Sequence, residues 1–190
     1  VRPDRGSNFI AGNNPDQRHP WKAPPAALVG HAGHHLHLYS LLSVAENLTL
    51  TRTMLGLAIS IEDYLGLWQL EEVSGKSVGT LSRGLQFRVS LARALMHAPG
   101  LIFLDEPTSC LDDSSLGLLL RFLEQARENA GSSILVATHD LGRLSSFASR
   151  ILVLEEKHLS KDSLTIEREE KLAPAAARAR CIEYYQKRNR

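Results

Sequence analysis

Apolar residues along this chain follow two rhythms, short solid runs and longer stretches at helical spacing. Three runs are solid: Ala26-Ala27-Leu28-Val29-Gly30, Leu101-Ile102-Phe103-Leu104 and Ser133-Ile134-Leu135-Val136-Ala137. Such runs read as strands buried on both faces. From Val44 to about Leu70 the spacing is helical, with Leu48, Leu50, Met54, Leu55 and Leu57, then Ile61, Tyr64, Leu65 and Leu67. Ser82 is placed to cap a further helix through Val89, Leu91, Ala92, Leu95 and Met96, which Pro99-Gly100 ends. Ser114 to about Ala130 repeats the spacing with Leu116, Leu119, Leu120, Leu123 and Ala126. A short helix to Ser149 and a last strand from Ile151 to Leu154 complete the expected core. Strands alternating with helices predict an α/β fold built on a parallel sheet. Residues 1–25 read mostly as loop, with a short strand at Asn8–Ala11, and residues 163–190 as a charged, partly helical, solvated tail.

At 190 residues with 43% apolar content, the chain suits one domain with a real core. Its 22 basic and 21 acidic residues nearly cancel, and the basic ones are dispersed until the tail, so no electrostatic grip on nucleic acid is expected. Two cysteines, Cys110 and Cys181, are too few for a disulfide framework and favour a reducing compartment. No apolar run approaches the roughly 18–20 residues that span a bilayer.

Candidate chemistry starts where the second run meets Asp105 and Glu106. A buried parallel strand ending in acids opens at its carboxyl end into a ligand crevice. Two carboxylates there cost several kcal/mol each, by order of magnitude, unless a cation or bound ligand compensates them. Upstream, Thr80-Leu81-Ser82-Arg83-Gly84-Leu85-Gln86 sets a hydroxyl and a glycine at a helix start, where free amides and the helix dipole attract phosphate. Taken alone, that pattern is also an ordinary helix cap. Thr138-His139-Asp140 closes the third run, and a histidine at a strand end is by itself commonly structural.

Taken together, these segments resemble the ATP-binding subunits of ABC transporters. Leu104-Asp105-Glu106-Pro107 is similar to the Walker B segment, Leu81-Ser82-Arg83-Gly84 to the signature motif, Leu111-Asp112 to the D-loop and His139 to the switch histidine. Leu38-Tyr39, Leu41 and Glu46-Asn47-Leu48 resemble the link from the Q-loop into a helical subdomain, here about residues 44–98. The Q-loop glutamine is replaced. Counting back from Glu46 puts His34 at its position, while the strand-then-histidine pattern fits His31. Histidine there and the SRG variant are similar to the cytochrome-c-biogenesis haem exporter subgroup. The four histidines at 31, 34, 35 and 37 also admit a weak metal site.

The resemblance, over residues 1–160, implies a P-loop-type parallel sheet, ATP and Mg2+ as ligands, a second ABC ATPase subunit and a transmembrane permease as partners, and a place on the cytoplasmic face of the membrane. It implies roles as well. Asp105 would hold magnesium, Glu106 would polarise the attacking water and His139 would contact the γ-phosphate. Ser82, Arg83, Gly84, Gln86, Asp112 and His34 would form the nucleotide surround. The segment from roughly Val44 to Val78 would touch the permease.

One part of the pattern is missing from these residues. A G-x-x-x-x-G-K-[ST] phosphate loop does not occur; Gly75-Lys76-Ser77 has Leu70 where the first glycine belongs. Residues 2–7 resemble the turn after the family's Walker A helix, so the chain is expected to start just beyond it. Strand Ala26–Gly30 and the acid-tipped strand would then lack a neighbour and carry an open apolar edge. Unaided Mg-dependent ATP turnover by these 190 residues is not expected, since losing one oxyanion donor alone costs about 3–4 kcal/mol. Two other readings stay open, a non-catalytic ABC module and a soluble ABC-type ATPase of DNA repair or translation.

Overall fold

The computed structural model describes residues 29–144, 147–151, 154–155, 158–159 and 164–165. The chain divides into two compact units, residues 1–137 and 138–190. In the first, β1 (Val29–Ala32), β2 (Leu101–Asp105) and β3 (Ser133–Ala137) form a parallel sheet in the order β1-β2-β3. Val29 pairs with Leu101, and Leu101 in turn with Ser133. The α/β parallel sheet expected from the sequence is present. The expected open edge on the acid-tipped strand is not, because β2 is central and paired on both sides. β1 also runs on to Ala32, so His31 lies in the strand and not in the loop beyond it.

Between β1 and β2 stand three helices, α1 (Val44–Leu55), α2 (Ile61–Leu67) and α3 (Arg83–Leu95). The single helical stretch expected from Val44 to Leu70 is thus two helices. Gly56 breaks it by adopting φ 64, and its N–H bonds back to the Arg52 and Thr53 carbonyls. That left-handed cap is cheap only for glycine. Ser60 then restarts the chain by capping the Asp63 amide. The start of α1 is fixed by a capping box, in which Ser43 Oγ accepts from the Glu46 amide and Glu46 accepts from the Ser43 amide at 2.7 Å. The Ser43 amide and the Ser43 hydroxyl, both donating to the Glu46 carboxylate, hold it below its usual range.

The core gathers Leu48, Trp68, Leu70, Phe87, Leu91, Ile102, Leu119 and Leu123, all under 2% exposed. Trp68 stacks on Phe122 of α4 (Asp113–Ala130), ring centroids 4.1 Å apart, which binds the helical segment to the helix joining β2 and β3. Tyr64 donates to the Ala92 carbonyl at 2.8 Å, and burial pushes its hydroxyl well above the ordinary range.

In the second unit, α5 spans Leu141–Leu144. Of the strand expected over Ile151–Leu154 the two ends are described and both are strand, in β4 (Arg150–Ile151) and β5 (Leu154–Glu155), while residues 152–153 lie outside the described residues. β5 pairs antiparallel with β6 (His158–Leu159), and β4 with β7 (Leu164–Thr165). Of the expected tail only Leu164–Thr165, strand β7, lies within the described residues. The expected strand at Asn8–Ala11, residues 26–28 of the first run, and Cys181 lie outside the described residues.

Candidate functional site

β2 delivers Asp105 to its carboxyl end with the side chain exposed. The loop leaving β1 passes close by: a Cβ on Gly33 would stand 2.9 Å from the Asp105 Cβ. Any other residue at 33 would push into that carboxylate. Glu106 follows in the left-handed region at φ 49, ψ 49, where a non-glycine residue is uncommon. Its amide donates to the Ala137 carbonyl at 2.8 Å, extending the β2–β3 ladder by one bond. Its carbonyl accepts from the Ser109 amide at 3.2 Å and the Ser109 hydroxyl at 2.8 Å. Three bonds thus hold a strained backbone under a carboxylate, the kind of strain that gathers at functional sites. Pro107 starts the 3-10 turn Pro107–Ser109, and Asp112 caps α4 by accepting from the Ser115 amide at 2.7 Å.

Ser82 caps α3, its hydroxyl accepting from Leu85 at 3.4 Å. Gly84 lies in the first turn, and a Cβ there would come within 3.1 Å of the Cys110 carbonyl oxygen. The two segments that looked independent in sequence, the Ser82–Gly84 turn and the loop after Glu106, are packed together. The Gln86 amide donates to the Val78 and Leu81 carbonyls at 3.1 and 3.2 Å, so it closes the turn ahead of α3. Arg83 donates to the His34 carbonyl at 2.7 Å. Arg88 reaches the Gln69 carbonyl and Ser115 Oγ, tying α3 to the turn after α2 and to α4.

The connection from β1 to α1 is stitched down along its length. Ser90 Oγ donates to the Leu36 carbonyl, the Gly79 amide to Ser40 and the Val78 amide to Leu42. Asn47, 1% exposed, accepts from the Tyr39 amide and donates to the Tyr39, Leu42 and Ser43 carbonyls. Asn47, Gly33 and Ser109 are the positions that sequence reasoning missed. The only signal was the Asn inside the Glu46-Asn47-Leu48 segment, a polar residue on an otherwise apolar helix face.

A cleft of about 360 Å3 lies along this connection, lined by His34, His35, His37, Ser40, Arg83 and Gln86 among others. His37 sits 5.8 Å from His31 and 6.5 Å from His35 between ring centroids. Among the described residues no group of three histidine, cysteine or acidic side chains is placed to hold a metal ion, which leaves the four-histidine metal reading without a site. Burial, with Arg93, His31 and His35 adding like charge, pulls the His37 imidazole below its ordinary value of 6.5. The folded state therefore prefers it neutral. Its contribution is present above about pH 6.5 and is lost as pH falls through the lower, folded value. A melting series from pH 8 to 5 is expected to show an acid-side loss that His37→Asn reduces, asparagine being tolerant of the same backbone (φ 53). An unchanged acid limb in that variant would contradict the assignment.

His139 lies two residues beyond β3 and belongs to the second unit, with an exposed side chain. The Asp140 amide there donates to Thr138 Oγ1 at 3.0 Å. In the first unit, then, Asp105 and Glu106 share a strand end, Gly84 abuts the loop that follows them, and Arg83 meets His34.

The family model described as ABC transporter matches residues 1–109, more than half of the chain. The chain belongs to the ABC transporter ATP-binding family. It is 32% identical over 163 residues to a spermidine/putrescine import ATP-binding protein of Pseudomonas aeruginosa, covering 81% of this chain and 43% of that one. It is 33% identical over 136 residues to the histidine/lysine/arginine/ornithine transport ATP-binding protein of Salmonella typhimurium, covering 67% and 52%. The chain thus spans about half or less of these relatives. Among solved structures, a dimeric ATP-binding cassette in a post-hydrolysis state bound to ADP and Pi superposes with TM-score 0.74 at 23% identity. That match covers 88% of this chain and 76% of the other. A dimeric bacterial ABC transporter cassette superposes at 0.65 with 26% identity, covering 75% and 64%. The parallel sheet flanked by helices is the ABC cassette fold. No helix among the described residues is long and apolar enough to cross a membrane.

Proposed function

We propose that this chain is part of an ATP-hydrolysing subunit of an ABC transporter, working with a second ABC ATPase subunit and a transmembrane permease at the cytoplasmic face of the membrane. The observation that carries the reading is Glu106: a carboxylate at the tip of a central parallel strand, on a strained backbone that three hydrogen bonds hold in place. A general base has to be positioned before it has to be tuned. Glu106 polarises the attacking water. Ser82 and Gly84 present a helix start to the γ-phosphate of a nucleotide held on the partner subunit's phosphate loop, with His139 contacting the γ-phosphate of this chain's own nucleotide.

Asp105 fits magnesium: it is an exposed, hard oxygen donor at the carboxyl end of the central strand. When bound, the ion would neutralise charge building on the phosphate oxygens. Asp112 keeps the D-loop in register by capping α4. His34 stands at the Q-loop position, which its place beyond the end of β1 favours over His31. Within the family, the SRG variant and this histidine support the haem exporter subgroup.

The test is Glu106→Gln in the assembled transporter. Turnover is expected to fall about 10²–10⁴-fold while nucleotide still binds. Turnover equal to the parent would overturn the reading.

A further inference from the structure

We infer that Arg83 is a positioning residue, tying the signature turn to the β1 exit loop and, through it, to Asp105. Position 83 carries a long cationic side chain where the family's more usual signature has glycine, which has no side chain to make a bond. Here that side chain has a partner within the same chain, the His34 carbonyl at 2.7 Å. His34 follows Gly33, the residue whose Cβ would stand 2.9 Å from the Asp105 Cβ. Arg83 also directly precedes Gly84, which packs on the Cys110 carbonyl, and directly follows Ser82, which caps α3. A single guanidinium therefore joins the start of α3 to the loop lying on the Asp105 carboxylate.

The bond is charge-assisted, a stronger class than neutral hydrogen bonds. It lies at the edge of the 360 Å3 cleft, and both Arg83 and His34 are among the cleft's lining residues. Neighbouring stitches, Ser90 to the Leu36 carbonyl and the Gly79 amide to Ser40, hold the later part of the loop. Of these ties, the Arg83 bond lies nearest to Gly33. The acceptor is a backbone oxygen, so the tie requires the arginine and is indifferent to the side chain at 34.

That indifference gives the test its control. In the nucleotide-free chain, hydrogen exchange of the peptide spanning residues 32–42 is measured for Arg83→Gly, Arg83→Lys and His34→Ala. Exchange is expected to rise about three- to tenfold in Arg83→Gly, less in Arg83→Lys, and to stay at the parent level in His34→Ala. Parent-level exchange in Arg83→Gly would overturn the tie, and so would a rise in His34→Ala equal to that in Arg83→Gly. The consequence for turnover rests on the proposed ATPase reading. In the assembled transporter Arg83→Gly is expected to lower kcat several-fold with KM for ATP little changed. A raised KM with unchanged exchange would mean that Arg83 acts on nucleotide across the dimer and not within its own chain. Failure of the ATPase reading shows separately, as an active Glu106→Gln variant, and leaves the exchange result standing.

Discussion

Replacing Glu106 by glycine is expected to suppress ATP turnover in the assembled transporter of the proposed reading and, at the same time, to make the protein more stable. The two effects come from different parts of one residue. On the proposed reading the carboxylate is the general base, and losing a positioned general base costs about 10²–10⁴ in rate. The backbone carries the strain. At φ 49 the Glu106 Cβ crowds its own peptide, a conformation costing a non-glycine residue about 1–2 kcal/mol. Glycine removes that cost but adds about 0.5–1 kcal/mol of unfolded-chain entropy. The net gain is about 0.5–1 kcal/mol, a rise in Tm of about 1–4 °C. Glu106→Gln separates the two: it loses the charge but keeps the Cβ, so turnover falls while Tm stays within error of the parent. A Glu106→Gly protein that melts below the parent would show that the backbone there is not strained. Glu106 is anchored by its amide to Ala137 and by its carbonyl to Ser109, and neither substitution removes these backbone bonds.

The sheet was legible because its signal is dense. Three solid apolar runs gave three parallel strands, and the acids at the end of the second run are at the end of β2. The Ser82 cap was also legible, since a hydroxyl ahead of an apolar helical face is a local rule. The break between α1 and α2 was not, although Gly56 marked it, because apolar spacing continues across the gap through Leu57 and Ile61.

At the site, residue types could be read and their partners could not. Nothing in a linear pattern reports that Glu106 takes a positive φ. Gln86 looked nucleotide-facing from its place in the motif, yet its amide nitrogen is bonded to two carbonyls of its own chain. The Arg83–His34 bond spans 49 residues, a separation no local rule can bridge. Gly33 had no signal at all, because its importance lies in what passes beside it.

Asn47→Ala is the substitution expected to destabilise the first unit most specifically, and its effect follows from which groups would be left without partners. Of the carbonyls that Asn47 serves, each keeps another donor: Tyr39 has the Leu42 amide, Leu42 has the Val78 amide, and Ser43 has the Asn47 amide itself. The Tyr39 amide is different, since Asn47 Oδ1 at 2.9 Å is its acceptor. Alanine removes the acceptor of that part-buried amide together with the three bonds Asn47 donates, at about 1–3 kcal/mol, and opens a small cavity besides. A total of about 2–4 kcal/mol lowers Tm by roughly 4–16 °C for a chain of this size. Asn47→Asp keeps the acceptor but loses three donated bonds and places a carboxylate where the side chain is 1% exposed, so it is expected to do no better. Exchange at the Tyr39 and Leu42 amides should rise more than exchange at Leu48, whose helical bond does not depend on the Asn47 side chain. Equal loosening of all three would place the damage in α1 as a whole, and would remove Asn47 as the clamp between that helix and the loop leading back to Asp105.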